Sequence, residues 1–377
     1  MAEGGKAWYP PNPEKRMQKL QFGIFDTTEI PDDRGSAATA AALEEHIADA
    51  QLAERLGYAY FFFIEHQNAG FDCISAPAVY LAALARATSR IRIGAQIFQL
   101  PLHHPMRLAQ DLAMIDQLSH GRLEAAFGYG TRIREFEPWK MDFKQRYAIG
   151  REALEVVLKA WTEREVSYRG AHWSIEKALP QPHPFQRPHP PVWLGAHSLS
   201  SFDYAAEKDF NVSQIFEVEE ACAEKFAHFR AARRTHRHPG PEPRTLLVRH
   251  MHVAETDRAA RDEAEAYMLR GIQGKMGVEQ ALKVRPGDPP ERREFARVYL
   301  ETSRSVAFWL EEGLGFVGSP ATVAKAIARQ QQRVGYDILL LNRYDGIPHE
   351  LYVKSLRLFA EQVIPAFAQA PHFSAAQ

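Results

Sequence analysis

The sequence predicts an α/β fold of the (β/α)8, TIM-like barrel class, and three observations carry that expectation. Short apolar runs alternate with longer segments of helical period, the pattern of βαβ units around a parallel sheet. Eight such runs can be counted, which favours a closed barrel over an open doubly wound sheet. The stretch from Leu56 to Phe71, LGYAYFFFIEHQNAGF, joins a helix end, a strand suited to burial on both faces and a polar tip in one run.

Taken in order, Met1 to Lys19 lacks the apolar core of a signal peptide and reads as a surface arm. Gln21 to Phe25 is the first strand. Ala38 to Leu56 follows as a helix with Leu43, Ile47, Ala50 and Ala53 on one stripe, and Gly57 supplies the positive-φ turn that ends it. Tyr60 to Ile64 and Ile91 to Phe98 are the second and third strands. Pro105, just after His104, suits the first turn of the next helix, which stops at His120-Gly121. Arg122 to Phe127 is the fourth strand and runs into Gly128-Tyr129-Gly130. Glu163 to Pro191 breaks the alternation with a hairpin-like pair around Arg169-Gly170 and then PQPHPFQRPHPP, which cannot be a helix interior. Val192 to Ala196, Val212 to Phe216 and Thr245 to Val253 are the next three strands, and Tyr336 to Leu341 the last. The intervening Arg270 to Gly318 is long enough for a functional lid, a binding loop or a small subdomain. One barrel domain is expected over residues 20–367, with 1–19 an arm and 368–377 a tail.

Bulk properties narrow the function. Lys and Arg total 46 against 47 Asp and Glu, a net charge of −1, which removes a global electrostatic case for nucleic acid or an anionic membrane. A small-molecule ligand fits better. Cys73 and Cys222 stand far apart, so neither a disulfide framework nor a cysteine zinc site is indicated, and a reducing cytoplasm is the expected location. No window reaches the roughly 18 unbroken apolar residues of a membrane span.

Four groups of residues could carry chemistry. His66, at a strand tip beside Glu65, is a candidate general base that Glu65 could orient; the alternative is a surface histidine. Gly128 and Gly130 at a strand end would let a ligand approach the backbone, or form an ordinary turn. Ser198, Ser200 and Ser201, after the strand in PPVWLGAHSLSSFDYAAE, stand where a helix start could bind phosphate, or cap it. His250 and His252 share one face of a strand, the spacing of some barrel metal sites, and sustain a distant metal-hydrolase reading. RAARRTHRHPGPEPR, Arg230 to Arg244, reads as a solvated helix end, and no G-x-S-x-G elbow or P-loop is present.

From Leu20 to Phe367 the order of these segments, with the closing FVGSPATVAKAIARQQQRVGYDILLL, resembles bacterial luciferase and its flavin-dependent monooxygenase relatives. The resemblance implies reduced FMN and molecular oxygen as co-substrates, an organic substrate and a homodimer. Glu65-His66 matches the family's Glu-His pair, with His66 the catalytic member; Gln67 stands where a second histidine is usual. Gln96-Ile97 falls where luciferase has a non-prolyl cis peptide against the flavin, Gly128-Tyr129-Gly130 on the segment passing the isoalloxazine and phosphate, and Ala196 to Ser201 on the phosphate elbow. Tyr129 replaces an arginine and His197 a glutamate, so phosphate charge must be met from elsewhere, with Arg132, Arg134 and Arg304 as candidates. No G-x-G-x-x-G follows a strand, so a separate NAD(P)H flavin reductase is expected. A deazaflavin-dependent hydride-transfer enzyme of the same fold is the alternative.

Overall fold

Parallel pairing of strands that succeed one another along the chain generates the architecture. The computed structural model describes residues 20–27, 36–68, 74–273, 284–287, 290–343 and 346–368. Strand β1 (Gln21–Asp26) pairs with β2 (Tyr60–Phe63), and β2 with β3 (Arg92–Ala95), which resumes two residues later as β4 (Phe98–Gln99). β4 pairs with β5 (Ala125–Gly128), while β6 (Val166–Arg169) and β7 (Ser174–Ala178) form a separate antiparallel hairpin. The ladder continues through β8 (Val192–Gly195), β9 (Asn211–Ile215) and β10 (Thr245–Val253). β11 (Gly315–Gly318) adds to the upper half of β10, and β12 (Ile338–Arg343) lies between β10 and β1. Among the described residues the sheet has ten strands; setting β11 aside and counting β3 and β4 once leaves the eight of an α/β barrel.

The strands follow residue type closely. β2 is four consecutive aromatics, all buried, because helices cover one face and the barrel interior the other. Phe25, Phe62, Ala126, Trp193, Val248 and Leu340 are among the side chains that fill the interior, and a larger cluster packs between strands and helices. At the N-terminal end the fully buried Glu124 is held by Arg92, by Arg244 (Nη2 to Oε2 3.0 Å) and by the Trp193 indole, so its charge is paired and hydrogen-bonded. Arg244 also donates to the Tyr60 hydroxyl at 2.7 Å, and burial first of all pushes that phenol up to about 12.

Helix Ser36–Arg55 carries the expected stripe, with Ala50 and Ala53 fully buried, and Gly57 follows at φ +88°. Pro105 opens helix Pro105–Leu118. The hairpin at Arg169-Gly170 is also present. Three expectations need correction. The third strand is not continuous from Ile91 to Phe98: it breaks at Gln96-Ile97, which is a cis peptide bond. The fourth begins at Ala125 and not Arg122, because Leu123 makes only an isolated bridge to Ile93. The insertion between the last two sequence-predicted strands contributes β11, and its four residues, two of them glycine, carry too little apolar pattern to be read as a strand. The expected arm at 1–19, Cys73 and most of the expected tail lie outside the described residues.

The break in the third strand brings the Ile97 side chain into the barrel between two glycines. A Cβ on Gly128 would stand 2.6 Å from Ile97 Cδ1, and one on Gly195 3.0 Å from its Cγ2. A side chain at 128 therefore requires Ile97 to shift, and one at 195 requires it to give by a few tenths of an ångström. Gly128→Ala should cost about 1–3 kcal/mol from overpacking, and Ile97→Ala in the same chain should recover part of that loss. Urea denaturation of the two single variants and the double variant measures the coupling; additive losses would show that Ile97 does not set the requirement.

Candidate functional site

The strands deliver their C-terminal ends to one mouth, and the two sequence-adjacent candidates there take separate partners. Glu65 is buried at 2% exposure, although it is a carboxylate. Its Oε2 accepts the Gln99 N–H at 3.0 Å, and its Oε1 accepts from His103 Nε2 at 2.9 Å and from Gln67 Nε2 at 3.0 Å. These contacts pin the end of β2 to β4 and to the segment leading into helix Pro105–Leu118. Burial opposes charge on His103, but the adjacent Glu65 carboxylate more than compensates and holds its imidazole above the ordinary value.

His66 points elsewhere. Its Nδ1 lies 2.6 Å from Oε1 of Glu135, a residue 1% exposed on the short helix Ile133–Phe136 after β5. The expectation that Glu65 orients His66 is thus corrected: Glu135 does so. Nothing in the local sequence marks this residue, because its partner is 69 positions away and the contact arises only when the ends of β2 and β5 meet at the mouth.

The room that Gly128 provides is taken by Ile97 and not left open to a ligand. Beyond it, Tyr129 is 5% exposed and Gly130 has φ +76°. Burial raises the Tyr129 phenol to about 12, and nearby Arg151 pulls it only part of the way back. Arg151 lies on helix Arg146–Thr162, its guanidinium 4.6 Å from the ring centre of the buried Tyr204. Tyr204 is likewise raised, by burial first and by Tyr129 next. The expected cations are differently engaged: Arg304 faces Glu301 at 3.4 Å, and Arg132 faces Glu135 at 3.9 Å.

Ser198 is the N-cap residue of helix Leu199–Lys208, yet its side chain makes no capping hydrogen bond. Its Oγ lies 3.0 Å from that of Ser200 and 3.1 Å from that of Ser201. The three hydroxyls gather at the helix start in place of simple capping. His197 is exposed to solvent; desolvation by the surrounding protein lowers its pKa, against the pull of Glu217. Gln96 is 4% exposed, and its Oε1 has no hydrogen-bond partner among the described residues.

His250 and His252 do not converge. His250 stacks on Phe216 at 4.7 Å and lies 4.7 Å from Trp309, whereas His252 Nε2 bonds Glu263 at 2.6 Å. Among the described residues the metal-compatible group is Glu45, Asp49 and His349, elsewhere in the fold and already linked through Asp49 to Arg343. The insertion supplies Trp309, fully buried and donating to the Thr302 carbonyl at 2.7 Å; residues 274–283 and 288–289 of that insertion lie outside the described residues. Among the described residues no helix is long and apolar enough to cross a membrane.

Comparison with known proteins gives a consistent picture. A family profile described as luciferase-like monooxygenase matches residues 20–337. An uncharacterized protein of Sinorhizobium fredii is 31% identical over 52% of this chain and 56% of its own length. The oxygenase component of a flavin-dependent trigonelline monooxygenase from Acinetobacter baylyi is 24% identical over 93% of this chain and 96% of its own. Among solved structures, the oxygenating constituent of 3,6-diketocamphane monooxygenase from Pseudomonas putida, in complex with FMN, superposes with a TM-score of 0.78 at 19% identity, covering 92% of this chain and 98% of that one. An F420-dependent secondary alcohol dehydrogenase superposes with a TM-score of 0.71 at 19% identity, covering 93% of this chain and 100% of that one.

The Glu65–His103 pair carries a pH signature. The folded pKa of His103 lies above its unfolded value of 6.5, so the pair's stabilisation is fully present below about pH 6.5 and fades as pH rises through the folded value. Thermal melts of the wild type and His103→Gln between pH 5.5 and about pH 9 should show a stability difference that shrinks as pH rises. A constant difference would mean that the pair adds no proton-linked stability.

Proposed function

The chain belongs to the luciferase-like monooxygenase family, and we propose that it is an oxygenase component that uses reduced FMN, delivered by a separate NAD(P)H flavin reductase, and O2 to oxygenate a small organic substrate. The observation that carries this reading is the pairing, at one barrel mouth, of an uncapped, serine-lined helix start with a histidine set by a buried carboxylate. The first suits a phosphate. The second suits proton transfer.

The residues present fit a flavin. Gln96 offers an oxygen that lacks a donor, which suits an N–H of a heterocycle, and Ile97 offers an apolar surface beside it. Gln96, Ile97, Tyr129, Gly130, His197, Ser198 and Ser201 would hold FMN, with Gly128 contributing by making room for Ile97. With its pKa lowered, His197 is neutral near pH 7 and so does not repel a phosphate as the family's glutamate would. When bound and reduced, FMN supplies the two electrons that oxygen activation requires. His66 manages protons. Its Nδ1 donates to Glu135, which fixes the tautomer and leaves Nε2 as the atom that takes a proton from the reacting group or returns it.

The trigonelline relative is named as an oxygenase component, which supports a separate reductase here. Val79 and Met114, exposed on the neighbouring helices Pro77–Ala87 and Pro105–Leu118, lend support to a homodimer. The likeness to an F420-dependent enzyme sustains deazaflavin hydride transfer as the second reading. Metal hydrolysis has no such support, given where His250 and His252 point.

His66→Ala should cut product formed per flavin consumed by about 10²–10⁴-fold, and Glu135→Gln by a smaller factor, with FMN binding and folding nearly unchanged. The assay is product yield and hydrogen peroxide yield from reduced FMN, oxygen and a panel of small ketones and N-heterocycles. Coupled turnover retained in His66→Ala would remove the histidine from the chemistry. Absence of any oxygenated product from the wild type, with turnover of secondary alcohols on a deazaflavin, would favour the second reading.

A further inference from the structure

The phosphate of the proposed cofactor requires a cation that the strand-end position 129 does not provide. We infer that Arg151 supplies it, forming with the hydroxyls of Tyr129 and Tyr204 and the start of helix Leu199–Lys208 a site for a terminal phosphate. This rests on the flavin reading above.

Four observations place these groups together. Phe127 of β5 is in register with Leu194 of β8, so the chain two residues further along each strand brings Tyr129 level with Ala196, just before the Ser198 elbow. Tyr204 lies three residues after Ser201, on the same face of that helix, and helical side chains lean towards the N-terminus, which carries its hydroxyl towards the serines. Arg151 reaches both tyrosines: it covers the Tyr204 ring, and its charge and hydrogen bond hold the Tyr129 phenol below where burial alone would push it. Gly150 makes this possible, because a Cβ there would stand 2.5 Å from the Tyr129 ring; a glycine in mid-helix costs helix stability and is accounted for by that close approach.

This cluster keeps hydrogen-bonding capacity that its own members do not use. The Tyr204 hydroxyl, on a side chain more than nine-tenths buried, has no hydrogen-bond partner among the described residues, and neither has Nε of Arg151; the buried Tyr129 hydroxyl has the adjacent Arg151 guanidinium as its partner and keeps its own O–H to donate. Arg151 forms no ion pair with a described carboxylate. A buried hydroxyl without an acceptor, beside a guanidinium with no carboxylate to balance it, is costly unless an acceptor with several oxygens joins them. A phosphate monoester has that chemistry, and a guanidinium contributes charge that the tyrosine at 129 lacks.

The test compares FMN with riboflavin, which lacks the phosphate, by equilibrium binding to wild type, Arg151→Met and Tyr204→Phe, with inorganic phosphate as a second probe by thermal shift. Wild type should prefer FMN by at least about tenfold, and Arg151→Met should weaken FMN by about 10–100-fold while leaving riboflavin within about twofold. Tyr204→Phe, which keeps the ring beneath the guanidinium, should weaken FMN by a smaller factor, and it carries the test should Arg151→Met not fold. Inorganic phosphate should raise the melting temperature of the wild type and not of Arg151→Met. Unchanged FMN affinity in Arg151→Met, or equal loss for both flavins, would overturn the assignment while leaving the flavin reading in place. Binding of neither flavin, with an Arg151-dependent phosphate shift, would keep the anion site and overturn the flavin reading; no effect of phosphate and no flavin binding would overturn both.

Discussion

The shape of the mouth depends on how Ile97 fits among the strand ends. Its side chain enters the barrel where β3 gives way to β4, and two neighbouring strands make space for it with glycine at 128 and 195. With those positions stripped of side chains, the ends of β5 and β8 come close to the interior, and the chain beyond them, Tyr129 on one side and His197 to Ser201 on the other, converges on one region. A Cβ at either glycine would press on Ile97 and, through it, on Gln96 and the end of β3. The candidate cofactor residues are therefore a packing consequence before they are a chemical one.

Buried carboxylates divide the remaining work. Glu124 closes the N-terminal end of the barrel with two arginines and an indole, Glu65 binds the tip of β2 to β4 and His103, and Glu135 sets His66. Each charge is paired, as burial requires, since removing one partner of such a pair strands the other in a low-dielectric interior. The Glu65 and Glu135 pairs lie close together, yet their roles differ: one holds two strand ends in place, the other orients an imidazole at the cleft.

Much of this was legible in the sequence. The eight strand runs follow from apolar patterning, the helix ends from Gly57 and Pro105, and the family from Glu65-His66, Gly128 to Gly130 and the Ser198 elbow with its surrounding segments. Local patterning also placed Glu65 beside His66, and there it misled: adjacent residues of an extended segment point to opposite sides, so each found a partner from another strand end. Glu135 and Arg151 were not legible because both sit in charged, helical surroundings where any Glu or Arg reads as surface, and only the meeting of separate elements buries or aims them. The serines read as cap or ligand site in the sequence; in the structure Ser198 is the N-cap residue and makes no capping bond. His250 and His252 had the spacing for a shared ligand, but stacking on Phe216 and a bond to Glu263 take them apart.

The central claim is that this mouth holds reduced FMN and governs its encounter with oxygen. Photoreduced FMN and, in parallel, a reduced deazaflavin can each be mixed anaerobically with the protein and then with oxygenated buffer, while oxygen uptake and hydrogen peroxide release are followed. The account predicts oxygen uptake with FMN and peroxide release delayed, relative to free flavin, in proportion to the protein present. Peroxide release at the free-flavin rate, together with tight binding of the reduced deazaflavin alone, would contradict it.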